Sequence, residues 1–130
     1  MITRAVLQVV SRADMQAPRP LRHVLTSLLE ALGVADPLRG DIVLAVGEAL
    51  SNAVEHAYAS SEGGTVELSA TTNDGNTLVV EVADRGTFIE RDNNPGRGFG
   101  LRIVRNIARD VVIKNDNGTR VRMTFDLGAT

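Results

Sequence analysis

The chain has 130 residues, 43% of them hydrophobic and 23% charged, with a formal net charge of -2 and a pI near 5.6. That length suits one domain with enough apolar material for its own core, and the charge excludes a general electrostatic attraction to nucleic acid. The absence of cysteine excludes disulfides, thiolate metal sites and a cysteine nucleophile, while one tyrosine, three phenylalanines and no tryptophan leave little to stack on bases.

Arg4 to Val10 is a short apolar strand candidate. Pro18 and Pro20 then open a helix whose apolar face is Leu21, Val24, Leu25, Leu28, Leu29 and Leu32. Gly33 is its expected stop. Asp36-Pro37 predicts the next helix start, with Asp as cap and Pro in the first helical position. This second helix runs to about Ala59, and its wealth of Ala, Val and Leu predicts burial on most of its surface. Two strands follow, Thr65 to Thr72 and Thr77 to Ala83, around the turn signal Asn73-Asp74-Gly75-Asn76. Val66, Leu68 and Ala70 alternate with polar neighbours, as do Leu78, Val80 and Val82.

The polar stretch Arg85 to Arg97 reads as a long loop, of the kind that often serves as a lid. Phe99 to Asp110 is a third helix, with Leu101, Val104 and Ala108 inside and Arg102, Arg105 and Arg109 outside. Val111 to Lys114 and Thr119 to Leu127 form a final hairpin, with Val121, Met123, Phe125 and Leu127 toward the core. Strands and helices do not alternate regularly. The expected fold is therefore α+β: a single domain, residues 1–130, built as a two-layer sandwich with three helices on one face of a mixed, mostly antiparallel sheet. No apolar run approaches the ~18 residues of a membrane span. The first residues also lack an extended apolar region followed by a cleavage site, so the sequence reads as a soluble cytoplasmic protein.

Three clusters interrupt these patterns with chemistry. Glu48, Asn52 and His56 are spaced four apart on the second helix, so they line one polar stripe. An amide carbonyl and a carboxylate on adjacent turns suit a hard cation and a proton acceptor; the same stripe would also serve as a solvated face. Next, the strand ending in Val82-Ala83-Asp84-Arg85-Gly86 places a carboxylate at its tip, able to accept from an exocyclic amine, with a glycine that lets backbone approach a flat ring. An ordinary strand-end turn reads the same way. Last, Gly96-Arg97-Gly98-Phe99-Gly100-Leu101 opens the third helix, where free N–H groups form an anion site unless the glycines merely loosen a loop end. No Gly-Lys-Ser/Thr follows, so this is not a Walker A loop. No glycine sits three residues after Gly98, and a long loop precedes it, so it is not a Rossmann fingerprint.

The order and spacing of these clusters resemble the N, G1 and G2 boxes of the GHKL (Bergerat-fold) ATPase superfamily, and Gly118-Thr119-Arg120-Val121 looks like its last adenine-side element. The likeness is closest to the small anti-sigma-factor serine/threonine kinases, whose N box Ala45 to Tyr58 resembles. Thr87-Phe88 stands where larger relatives carry the second G1 glycine, a loss that this group often tolerates.

The resemblance implies ATP and Mg²⁺ as cofactors. Asn52 would ligate the metal, and Glu48 would take the proton from a protein hydroxyl. Asp84 would bind the adenine amino group, supported by Thr119, with Gly86 lining the slot. Gly98, Gly100 and Leu101 would offer N–H groups to the phosphates, with Arg97 as a charge partner and His56 nearby. It further implies a homodimer, a phosphoacceptor that is an anti-sigma antagonist of STAS type, and a sigma factor as second partner, with neither nucleic acid nor membrane among them. Two alternatives stand beside it. One is a non-catalytic ATP-binding regulatory module, against which Glu48 speaks. The other is the catalytic part of a histidine kinase, whose phosphoacceptor motif is not matched by His23-Val24-Leu25.

Overall fold

The computed structural model describes residues 2, 4–59, 64–73, 76–84, 102–115 and 118–128, and of 56–59 only the backbone. Five strands and two long helices follow the chain as β1 (Arg4–Arg12), α1 (Pro18–Ala31), α2 (Leu38–Ala59), β2 (Thr65–Asn73), β3 (Thr77–Asp84), β4 (Asp110–Asn115) and β5 (Thr119–Asp126). A third helix, α3, covers 102–107 among the described residues.

The expected α+β sandwich is the one found. The sheet runs β1-β2-β3-β5-β4, and every neighbouring pair is antiparallel. "Mixed" was thus broader than the structure: β5 lies between β3 and β4 and pairs antiparallel with both. β1 extends two residues past Val10 because Ser11 and Arg12 continue the ladder opposite Val66 and Thr65.

One core joins the layers. α1 buries Pro18, Leu21, Leu25 and Leu29, where each fully buried leucine is worth about 1.5–3 kcal/mol. α2 lies chiefly over β3, with lesser contact to β2 and β5, and sinks Ile42, Ala45, Val46, Ala49 and Leu50 into the same cluster. From the sheet come Val66, Leu68, Leu78, Val80, Met123 and Phe125; Val104 on the third helix and Ala108 just past its end close it. Leu127, expected inside, is only partly buried.

α1 ends as its sequence implies, with Leu32 as C-cap and Gly33 at φ 80°. No atom lies within 4 Å of a Cβ built on Gly33, so backbone conformation alone disfavours a side chain there. Gly33→Ala is expected to cost about 1 kcal/mol, read as a lower urea midpoint at unchanged m-value.

The start of α2 departs from expectation. The Asp36–Pro37 bond is cis and the helix begins at Leu38. Asp36 does not cap it; its carboxylate accepts from Arg39 at 3.2 Å, while the other guanidinium nitrogen reaches the Val34 carbonyl at 3.0 Å. A cationic side chain one turn on outcompetes the backbone N–H groups for that carboxylate.

Candidate functional site

α2 carries the first cluster. Glu48 and Asn52 are half-buried one turn apart, flanked by exposed Ser51 and Glu55 and by buried Ala49, Leu50 and Ala53. They therefore sit at the margin between the helix's buried and solvent faces. Neither forms an ion pair or side-chain hydrogen bond with another described residue. His56 continues the stripe on the same helix, with its side chain outside the described residues.

β3 carries the second. Its buried side chains alternate through Leu78, Val80 and Val82 to Asp84, so period two aims Asp84 at the helix-covered face of the sheet. Asp84 is only 4% exposed. Among the described residues the buried polar side chains are Thr72 and Asp84. Thr72 has a structural task, since its hydroxyl accepts the Ala5 N–H at 2.9 Å and helps hold edge strand β1. Asp84 is a carboxylate buried at a strand tip beneath a helix, where burial strengthens its pull on a donor.

The sheet joins Asp84 to the last predicted element. Asp84 on β3 pairs directly with Thr119 on β5. These residues were singled out from separate motifs, and the register makes them cross-strand neighbours on the core-facing side. The Thr119 hydroxyl lies 3.5 Å from the Asn115 side-chain oxygen, at the limit of a hydrogen bond, so it can turn toward another acceptor or donor. Gly118, at φ 115°, supplies the turn that starts β5 at this point.

Gly86, Arg97, Gly98, Gly100 and Leu101 lie outside the described residues, as does the loop expected as a lid. The third helix is described from Arg102, with Val104 buried and Arg105 exposed, as its spacing predicts.

One residue of α2 beside this stripe stands outside the three clusters. Gly47 is buried mid-helix beside Glu48, and a Cβ built there would come within 3.0 Å of the Arg22 Cδ on α1. The missing side chain is what lets the Arg22 stem lie across α2. A glycine inside a helix costs about 1 kcal/mol relative to alanine, and that was the available sequence signal.

The donors present suit a nucleotide-held cation. Asn52 offers one amide oxygen, with the Glu48 carboxylate a turn away; Mg²⁺ characteristically takes one or two protein oxygens and leaves its other positions to phosphates and water. No helix of the described residues is long and apolar enough to cross a membrane.

The model of the histidine kinase-like ATPase domain matches residues 11–125. The chain is 27% identical over 133 residues to the serine-protein kinase RsbW of Oceanobacillus iheyensis, covering 85% of this chain and 84% of that one. It is 35% identical over 95 residues to blue-light-activated histidine kinase 2 of Erythrobacter litoralis, covering 68% of this chain but 28% of that one. The crystal structure of RsbU and RsbW domains from a Mycobacterium tuberculosis protein matches with a TM-score of 0.76 at 26% identity, over 95% of this chain and 32% of that chain. The chain thus spans about a third of that protein. With a match across nearly all its strands and helices, the chain belongs to the histidine kinase-like ATPase domain family.

Proposed function

We propose that the chain is an ATP- and Mg²⁺-dependent serine/threonine protein kinase that phosphorylates an anti-sigma antagonist of STAS type and itself acts as an anti-sigma regulator. The observation that carries this reading is the extent of the likeness to the RsbW serine-protein kinase, which covers most of both chains. The histidine kinase likeness covers only a fraction of its relative. His23, moreover, is an exposed residue within α1, a helix packed against α2 in this domain's own core.

In this reading Asp84 accepts from the adenine amino group and Thr119 supports it. Asn52 ligates Mg²⁺, which when bound neutralises phosphate charge. Gly86 lines the adenine slot; Gly98, Gly100 and Leu101 donate to phosphate oxygens, with Arg97 and His56 at their edge. The Glu48 carboxylate takes the proton from a serine or threonine hydroxyl as that oxygen bonds to the γ-phosphorus and the bond to the ADP oxygen breaks. Such transfer depends on positioning and charge neutralisation more than on covalent chemistry. The domain works as a cytoplasmic homodimer that also engages a sigma factor.

The test combines the protein, Mg-ATP and a small antagonist protein, with phosphoserine or phosphothreonine read by mass spectrometry. ATP-dependent stabilisation without transfer would favour the non-catalytic module. Asn52→Ala is expected to lower transfer by about a hundredfold or more and to flatten its dependence on Mg²⁺ concentration; an unchanged Mg²⁺ titration would remove Asn52 from the metal.

A further inference from the structure

One row of the sheet crosses four strands at the tip of β3. Val66 on β2 pairs with Asp84, Asp84 with Thr119 on β5, and Thr119 with Asn115 on β4. Each belongs to its strand's core-facing set, which runs Val111, Ile113, Asn115 on β4 and Thr119, Val121, Met123 on β5. Asn115 is the polar member of this row that has no role so far. Asparagine is depleted in strands. Asn115 nevertheless lies inside the β4 ladder, ahead of the turn that Gly118 makes at φ 115°. Strand formation therefore gives no reason for it. Its contact does: the Thr119 hydroxyl donates to the Asn115 Oδ1 at 3.5 Å. That distance is the limit of such a bond, of the kind that shortens when a ligand fills the site.

A threonine hydroxyl carries one proton and otherwise accepts. With that proton committed to Asn115, the Thr119 oxygen faces the site as an acceptor, next to the Asp84 carboxylate. Two neighbouring acceptors suit the hydrogens of an exocyclic amine, met directly or through a water, and oppose a carbonyl oxygen. Resting on the adenine site above, and not on phosphate transfer, we propose that Asn115 is a positioning residue that sets purine selectivity. By holding the Thr119 proton it makes the pocket favour a 6-amino purine nucleotide over a 6-oxo one. Asp84 supplies part of this discrimination alone. A Thr119 hydroxyl released from Asn115 would rotate and donate to the oxo group, and the discrimination would weaken. Sites built to hydrogen-bond one group reject the analogue that leaves their polar atoms unpaired.

The experiment titrates the full chain with ADP and with IDP in the presence of Mg²⁺, read by calorimetry. IDP carries an oxo group in place of the adenine amine, with a proton on the adjacent ring nitrogen. The parent is expected to prefer ADP. Asn115→Ala is expected to lower the ADP-to-IDP affinity ratio about three- to tenfold, with a gain in IDP affinity that damage to the fold would not produce. Asn115→Asp, whose carboxylate can only accept, is expected to keep the parental ratio. In a Thr119→Val background, Asn115→Ala is expected to leave the ratio unchanged, since no hydroxyl remains to be held. A parental ratio in Asn115→Ala, or a change that comes from weaker ADP binding alone, overturns the inference and leaves the adenine site standing. So do a ratio in Asn115→Asp as low as in the alanine variant, and an effect that persists without the Thr119 hydroxyl. Equal affinity of the parent for ADP and IDP, or binding of neither, overturns the adenine reading of Asp84 and this inference with it.

Discussion

Glu48→Gln is expected to slow phosphate transfer by about a hundredfold or more while leaving ATP-dependent stabilisation near the parental value. The change keeps the size and reach of the side chain and removes the acceptor for the hydroxyl proton. Glu48 is half-buried and makes no ion pair or hydrogen bond with a described residue, so its loss disturbs no structural contact of that kind. The expected signature is a fall in kcat without a matching rise in KM for ATP, because the lost interaction belongs to the transition state. Transfer at the parental rate would remove Glu48 from the role of base. A lowered melting temperature before nucleotide is added would mean that the carboxylate serves the helix instead.

Asp84→Asn produces the opposite order of effects. The substitution preserves shape at a site 4% exposed and directly paired with Thr119, but replaces a charged acceptor by a neutral amide. A hydrogen bond to a charged group contributes about 1.5–3 kcal/mol, or about ten- to a hundredfold in affinity. ATP-dependent stabilisation should therefore disappear at concentrations that stabilise the parent. Transfer should fall at low ATP and recover in part at high ATP, which Glu48→Gln would not do. Parental stabilisation by ATP in the Asp84 variant would place adenine elsewhere. The two variants together separate binding from chemistry.

Much of this architecture was legible from local chemistry. The Asn73-Asp74-Gly75-Asn76 signal set β2 and β3 within a residue of their observed ends, since a turn of that composition interrupts two runs with period-two burial. Gly33 marked the end of α1 because few other residues adopt its φ. The N box put Glu48 and Asn52 on one stripe by helical spacing alone. Asp36 misled, because its side chain had a choice of donors and the Arg39 guanidinium prevailed over the helix N–H groups. Non-local pairings stayed hidden. Nothing in single-strand periodicity states that β5 inserts between β3 and β4, and only that insertion makes Thr119 the neighbour of Asp84. The same holds for Arg22 and Gly47, which are 25 positions apart and meet because α1 packs on α2. The glycine was visible; what crosses it was not.

The measurement closest to the central claim is the chemical nature of the phosphorylated product. The protein is incubated with γ-labelled Mg-ATP and an antagonist of STAS type, and the label is followed through acid and alkali. Acid-stable, alkali-labile label on a serine or threonine of the antagonist, lost with Glu48→Gln, is the result predicted. Acid-labile label on a histidine, or intact ATP-dependent stabilisation with no label on the antagonist, would contradict it.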